Sequence, residues 1–335
     1  MKKFRTALIG CGGRGKLYAQ AIESENRIEI VALCDINVRA MTEMNTKHKF
    51  NAKLYTDYKE MLTDLQIDFV IICLWTPLHL PVLGACLQAG IKIIHSEKPV
   101  ATNWLDYQEA GRLARAYNIQ LTYGHQRRFS EGNILVKNLI KDGIFGKIKN
   151  MELYSPPHLL DCGTHTFDQA AFFIGEEPVS WVLGIGDVSS TISYFDVPAE
   201  NCFTGTVMYK NGIWANIIVG FENMEVGAGV RIHGENGFVQ VQWDGYIDKC
   251  VVYDNPEFKL PEYTINQDDF IVKTVANALD SAISGEKPEL DYTRAINAGE
   301  IIFALYESMR RRAKVKLPLK TTGDHPLESL LKSWK

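Results

Sequence analysis

Short apolar runs along the chain alternate with stretches whose apolar residues recur at helical spacing. Thr6 to Ile9 is the first run and reads as a buried parallel strand. Leu17, Tyr18, Ala21 and Ile22 follow at helical spacing, and Ile28 to Cys34 is a second run. Val38 to Lys47 and Tyr58 to Leu62 read as helices. Phe69 to Leu74 (FVIICL) is wholly apolar and is stopped by Thr76-Pro77. A helix over His79 to Ala89 ends at Gly90. Ile91 to His95 is a strand, Asp106 to Tyr117 a helix and Ile119 to Tyr123 a strand. This alternation predicts a doubly wound parallel sheet, an α/β domain over residues 1–124. Ligands of such sheets bind beyond the carboxyl ends of the strands.

After Arg128 the pattern changes. Ile134 to Lys141 reads as a helix, Ile148 to Tyr154 as a strand and Cys162 to Ile174 as a helix. Strands then dominate, at about 179–185, 202–210, 213–221, 227–233, 237–242 and 249–253, with hairpin signals at Asn211-Gly212 and Glu235-Asn236-Gly237. Strands in succession predict an antiparallel or mostly antiparallel sheet. Asp268 to Ile283 and Tyr292 to Arg312 read as closing helices, and 314–335 as an extended tail with a short helix. A second α/β domain is therefore expected over 125–335.

Composition narrows the function. Of 335 residues, 46% are hydrophobic and 23% charged, as in ordinary globular proteins, and the net charge of −4 points to neither nucleic acid nor an anionic membrane. No apolar run approaches the roughly 18 residues of a membrane span. Met1-Lys2-Lys3 runs straight into the first strand, without a separate signal-peptide core. The seven cysteines are scattered, with no C-x-x-C pair, so no metal site is expected and a reducing cytoplasm fits.

The first candidate chemistry lies at the first strand–helix junction. Gly10, Gly12 and Gly15 form G-x-G-x-x-G, with Cys11, Gly13 and Arg14 between them. In this context Gly10 makes the tight turn, Gly12 lets backbone reach a pyrophosphate and Gly15 lets helix and strand pack closely. The following helix offers its N-terminal amides to phosphate. Asp35 ends the second strand about 20 residues later, where an acidic residue accepts from ribose hydroxyls and repels a 2′-phosphate. The expected cofactor is NAD, with Arg14 and Arg39 leaving NADP open.

Two further groups carry chemistry. Glu97-Lys98-Pro99 stands at the carboxyl end of the strand 91–95. On its own it reads either as an acid–base lysine in the cofactor crevice or as a solvated lysine in a turn. Asp161-Cys162-Gly163-Thr164-His165-Thr166-Phe167-Asp168 places Asp161 and His165 at i and i+4, on one face of a helix, with Gly163 keeping that face low. On its own it reads equally as a capping Asp and a satisfied interior His.

The three motifs in this order resemble the glucose–fructose oxidoreductase / inositol dehydrogenase (Gfo/Idh/MocA) family over nearly the whole chain. The resemblance implies a Rossmann domain and a C-terminal α/β domain whose open sheet makes oligomer contacts. It implies Lys98, Asp161 and His165 as the catalytic group, with Gln126 and Arg127 of G-H-Q-R-R-F near nicotinamide or substrate. It adds Thr76, Pro77, His79 and Glu97 to the cofactor side. The implied activity is hydride transfer between NAD(P) and a hydroxyl-bearing carbon of a sugar, polyol or cyclitol. Either His165 or Lys98 takes the hydroxyl proton. A glycoside-cleaving or epimerising enzyme and a non-catalytic NAD-binding regulator are the alternatives. The chain departs from the family's T-P-N-x-x-H at Thr76 to Pro81, where Pro81 takes the place of the late His. It also has only six residues, Ser155 to Leu160, before Asp161, which predicts a more open pocket. A homodimer or homotetramer is expected through the second sheet, with Trp181, Ile192, Phe203, Trp214 and Ile217 as its outer face.

Overall fold

The computed structural model describes residues 3–189, 192–220, 227–320 and 325–333. They form two compact units. The first holds the chain up to Ala101, then Asp106–Gln126 and Asp268–Thr293. The second holds Thr102–Leu105, Arg127–Gln267 and the chain from Arg294.

In the first unit, strands β1 (Phe4–Ile9), β2 (Ile28–Cys34), β3 (Lys53–Tyr55), β4 (Phe69–Ile72), β5 (Ile93–Ser96) and β6 (Gln120–Tyr123) form one parallel sheet in the order β3-β2-β1-β4-β5-β6. Helices α1 (Gly13–Glu23), α2 (Val38–His48), α3 (Tyr58–Asp64), α4 (His79–Gln88) and α5 (Trp104–Ala116) connect the strands. The strand order reverses between β1 and β4, the switch point at which such sheets take ligands. β3 is absent from the sequence reading because it has three residues, two of them exposed, too few to set a period. The core on one face joins Leu8, Leu33, Phe69 and Ile71 of the strands to Tyr18 and Ile22 of α1. It is completed from far along the chain. The helix Asp268–Ser284 adds Ile271, Val275, Ala278 and Leu279, an i, i+4, i+7, i+8 stripe.

The second unit contains α6 (Glu131–Lys141), β7 (Ile148–Ser155), α7 (Thr164–Phe173), β8 (Val179–Asp187), the short hairpin β9 (Ser193–Tyr194) and β10 (Val197–Pro198), β11 (Cys202–Tyr209), β12 (Trp214–Val219), β13 (Gly229–Gly234), β14 (Gly237–Gln242) and β15 (Ile247–Val252). With the helix 268–284 counted as α8, the chain closes with α9 (Tyr292–Arg311), β16 (Val315–Lys316) and α10 (Pro326–Ser333). Eight strands make one sheet, β15-β14-β13-β7-β12-β11-β8-β16, in which β7 and β12 are parallel and all other neighbours antiparallel. After Arg312, Val315 pairs with Val182, and Leu327 and Leu330 of α10 are buried.

Strict alternation sets the two faces of this sheet. Val182, Phe203, Val207, Ala215, Ile217 and Val219 point inward and are buried. Leu183, Ile185, Thr204, Trp214 and Ile218 lie on the opposite face, where Ile185 is 69% exposed. Phe203 and Ile217, expected on the outer face, are thus core residues. A period of two shifted by one residue sends a side chain to the other side, and register was not readable from composition. Trp214 is exposed on that face as expected, whereas Ile192, though exposed, lies between β8 and β9 and is no part of the eight-stranded sheet. No helix among the described residues is long and apolar enough to cross a membrane.

Candidate active site

The glycine turn is shaped by close backbone approach. Gly10 has φ +96°, and a side-chain carbon there would lie 2.3 Å from the Cys73 carbonyl oxygen. At Gly15 it would lie 2.0 Å from the Gly10 carbonyl oxygen. At Gly12 or Gly13 it would meet nothing within 4 Å. α1 starts at Gly13, and its N-cap residue Gly12 has no side chain to satisfy the first amides. Open space in front of uncapped amides fits a dinucleotide pyrophosphate.

Asp35 closes the other side of the turn. Its Oδ2 accepts from the Cys11 amide (2.6 Å) and its Oδ1 from the Asn37 amide (2.8 Å). Each carboxylate oxygen keeps a second lone pair for a ribose hydroxyl. The two arginines that could favour a 2′-phosphate are both engaged. Arg39 pairs with Glu43 on the surface of α2 (2.7 Å), and Arg14 pairs with Glu97 (2.9 Å).

Glu97 is the centre of a buried network. It is 4% exposed and follows directly on β5. Burial works against its charge, but the Arg14 guanidinium and the Tyr18 hydroxyl outweigh it and hold the carboxyl below the usual range. Tyr18 of α1 donates to Glu97 Oε1 (2.9 Å) and its oxygen lies 2.6 Å from His95 Nε2. Burial pushes His95 down to about 4, so the ring is neutral near pH 7. With the Tyr18 proton given to Glu97, the one ring proton of His95 sits on Nε2, and Nδ1 accepts from the Thr122 hydroxyl (2.8 Å). At the other end Gln126 joins in. With its amide oriented to satisfy both neighbours, its oxygen accepts from Arg14 Nη2 (2.7 Å) and its nitrogen donates to the Gly124 carbonyl.

Lys98 is half-buried, and its amide donates to Glu97 Oε2 (3.2 Å). Thr76 and Pro77 form a 3₁₀ turn with Leu78 after β4, Thr76 buried and Pro77 exposed. His79 is buried, with Nδ1 at 2.9 Å from the Pro99 carbonyl and Nε2 at 3.0 Å from the Leu74 carbonyl. It therefore ties the turn after β4 to the residue following Lys98. Burial lowers its pKa, and a neutral ring can make only one of the two hydrogen bonds.

The second unit holds Arg127, Asp161 and His165. Asp161 does not share an α-helix with His165. Leu159–Gly163 is a wide π-type turn, with the Gly163 amide donating to the His158 carbonyl (3.1 Å), and α7 begins only at Thr164. The i, i+4 spacing thus crosses from a wide turn into a helix, a departure of the kind found at functional sites. Thr164 Oγ1 bonds back to the Asp161 carbonyl (2.7 Å), and His165 is buried in the first turn of α7. A side-chain carbon at Gly163 would make ordinary contacts of 3.4–3.5 Å with Leu159 and His158, so steric need does not explain that glycine. The last Asp of the motif is support. Asp168 takes the Arg128 guanidinium at 2.7 and 2.8 Å, and Arg128 also reaches Glu176 (2.6 Å). Arg127 points elsewhere, 5.4 Å over the Trp243 ring, and burial lowers its guanidinium to about 10 against the pull of Cys162, Asp161 and Asp168. Its Nη1 is buried without a hydrogen-bond partner.

Comparison with known proteins finds a match over most of the chain. Residues 4–125 fit the oxidoreductase family with an NAD-binding Rossmann fold, and residues 149–317 fit that family's C-terminal alpha/beta domain. The chain belongs to this family. It is 27% identical over 230 residues to the uncharacterized oxidoreductase YrbE of Bacillus subtilis, covering 64% of this chain and 67% of that protein. It is 28% identical over 198 residues to myo-inositol 2-dehydrogenase of Thermotoga maritima, covering 55% and 58%. The chain thus aligns with somewhat over half to two thirds of the length of these relatives. The fold is shared with the WlbA dehydrogenase of Bordetella pertussis, crystallised with NADH and UDP-GlcNAcA (TM-score 0.78, 22% identity, 95% of this chain and 99% of that one). It is also shared with scyllo-inositol dehydrogenase of Lactobacillus casei (TM-score 0.74, 17% identity, 94% and 99%). The NAD-binding family and the geometry of the glycine turn agree on the cofactor.

Within this family fold, the sequence reading missed the buried network of Tyr18 and His95. Each meets a partner distant along the chain. The signal that could have found Tyr18 and His95 is a polar residue on an otherwise apolar helix face or strand, which burial obliges to find a partner.

Buried neutral histidines make stability pH-dependent. His95 and His325 are both pushed down to about 4 by burial, against about 6.5 in an unfolded chain. Between those values the unfolded state binds more protons, so stability is full above about 6.5 and is lost as pH falls toward 4. Each contributes on the order of 3 kcal/mol. Urea unfolding between pH 7 and 4 should show this decline, and His95→Asn should flatten it. A level profile across that window would mean the rings are not held neutral.

Proposed function

We propose that the chain is a cytoplasmic NAD-dependent dehydrogenase that oxidises a hydroxyl-bearing carbon of a sugar, polyol or cyclitol. The observation that carries this reading is the intact set Lys98, Asp161 and His165 in a member of an NAD-binding oxidoreductase family. A regulator that only bound NAD would not need that set. Relatives named as inositol 2-dehydrogenases support the substrate class, and seven free cysteines suit a reducing compartment. NAD, when bound, supplies the hydride acceptor. Backbone amides at Gly12 and Gly13 hold its pyrophosphate and Asp35 its ribose. His165 takes the proton of the substrate hydroxyl, and the Lys98 ammonium stabilises negative charge on the same oxygen. Asp161 orients His165 or a neighbouring hydroxyl, and Arg127 stands by as a buried donor for a substrate oxygen.

Screening NAD reduction over a panel of sugars and inositols tests the activity, with nitrophenyl glycosides in parallel. NADH formation with a free polyol is expected. Nitrophenol release without net NADH would point to redox-neutral glycoside cleavage instead. Lys98→Ala should leave NAD affinity within a few fold and lower single-turnover hydride transfer by about 10²-fold or more, because Lys98 is not needed to hold the cofactor. A near-normal rate would remove Lys98 from the mechanism.

Cofactor choice rests on Asp35. NAD should bind more tightly than NADP in a fluorescence titration, and Asp35→Ser should narrow the gap by removing the charge that faces a 2′-phosphate. NADP binding as tight as NAD in the unaltered protein would show that Arg14 or Arg39 leaves its carboxylate for the phosphate.

The outer face of the eight-stranded sheet is where a second copy would bind. Leu183, Ile185, Thr204, Thr206, Asn216 and Ile218 line a shallow cleft of about 810 Å³ on and beside it. Apolar residues this exposed on an open sheet mark an interaction surface. A homodimer or homotetramer is expected by light scattering at micromolar concentration, and Ile185→Asp should yield monomer. A monomeric unaltered protein would refute the assembly.

A further inference from the structure

The chain just before Asp161 is short, yet a distant segment is built against it. Strands β9 and β10 pair Tyr194 with Val197 and Ser193 with Pro198. The two residues at their tip, Phe195 (φ 55°) and Asp196 (φ 64°), are both left-handed. A two-residue turn of this kind favours Asn-Gly, and a bulky Phe there is held against its own preference. The neighbouring Tyr194 is fastened to the Asp161 segment. The Tyr194 hydroxyl donates to Asp161 Oδ2 (2.9 Å). Its ring lies 5.4 Å from the His158 imidazole and 4.2 Å, edge-on, from Phe195. At the hairpin's base Glu200 is fully buried. Its Oε1 accepts from the Leu159 amide (2.6 Å), its Oε2 from the Tyr306 hydroxyl (2.7 Å), and its carbonyl from His158 Nδ1 (3.0 Å). The hairpin is therefore fastened at both ends to the residues that carry Asp161.

We propose that Tyr194 is a positioning residue for the Asp161 carboxylate and, through it, a determinant of which substrate hydroxyl arrangement is accepted. This rests on the reading above that Asp161 meets the substrate. A phenol-to-carboxylate hydrogen bond is charge-assisted and directional, so it selects one carboxylate orientation. Burial and the neighbouring carboxylate raise the phenol's pKa, which keeps it a donor at neutral pH. One carboxylate oxygen is thereby committed to the protein, and a substrate hydroxyl must suit the orientation this leaves. Without the hairpin, the six residues before Asp161 would have to impose that order alone.

Tyr194→Phe keeps the ring and removes the donor. It should lower kcat/KM for the best polyol about 10-fold, chiefly through KM, and leave NAD affinity unchanged. In an Asp161→Asn background the same change should cost less than twofold, because its effect runs through the lost carboxylate. Losses that simply multiply would overturn the positioning role. A readout independent of turnover is the ¹⁹F resonance of 3-fluorotyrosine placed at position 194. Asp161→Asn should lower the pH at which that phenol titrates, and an unmoved titration would overturn the contact. If the phenol responds but the unaltered protein oxidises no polyol, the contact stands, and the role in substrate choice falls together with the dehydrogenase reading.

Discussion

The buried Glu97 carboxylate is the constraint around which the first unit is arranged. A charge taken out of water must be matched by an opposite charge and by hydrogen bonds to its remaining lone pairs, and removing one partner of such a pair costs about 3–5 kcal/mol. Here the guanidinium comes from Arg14 in the glycine turn, the hydroxyl from Tyr18 one turn further along α1, and a backbone amide from Lys98 itself. The strand end that carries the lysine and the glycine turn are thus tied by one carboxylate. Neither can shift without exposing or orphaning a charge.

His95 shows how far the constraint reaches. An imidazole inside a parallel sheet is costly unless both nitrogens are satisfied, and Tyr18 and Thr122 do this from α1 and β6. The result is a chain of hydrogen bonds from Thr122 through His95, Tyr18 and Glu97 to Arg14 and Gln126. In the second unit Asp168 plays the part of Glu97. It neutralises Arg128 and so leaves Arg127, the adjacent residue, to face Trp243 with a buried unsatisfied nitrogen. In both units a buried carboxylate–guanidinium pair stands beside a cation, Lys98 or Arg127, to which the proposed function gives a chemical role. Glu97 and Asp168 thus spend their carboxylates on partners within the protein.

Much of this was legible in the sequence. The period of the apolar runs sufficed for β1, β2, β4, β5, β6 and the strands β7 to β15 apart from the short hairpin, because a buried strand and an amphipathic helix leave different repeats. The glycine spacing with Asp35 declared the nucleotide turn, since a tight turn and a close helix–strand approach admit no side chain at Gly10 and Gly15. The order of the three motifs pointed to the oxidoreductase family that residues 4–125 and 149–317 match.

What the tertiary structure alone decided is pairing over distance. Whether α8 completes the first unit depends on a groove beside α1, not on α8's own stripe, which would suit any apolar surface. Whether Phe203 and Ile217 point inward depends on a register that shifts by one residue without changing composition. Asp161 and His165 stand four apart in sequence, but a π-type turn separates their local frames. Tyr194 lies 33 residues from Asp161 in the chain and reaches its carboxylate through a two-residue turn with no sequence signature for it. Local patterns declare which backbone state a segment prefers. They do not declare which buried polar group it must satisfy, because that partner is chosen by the fold.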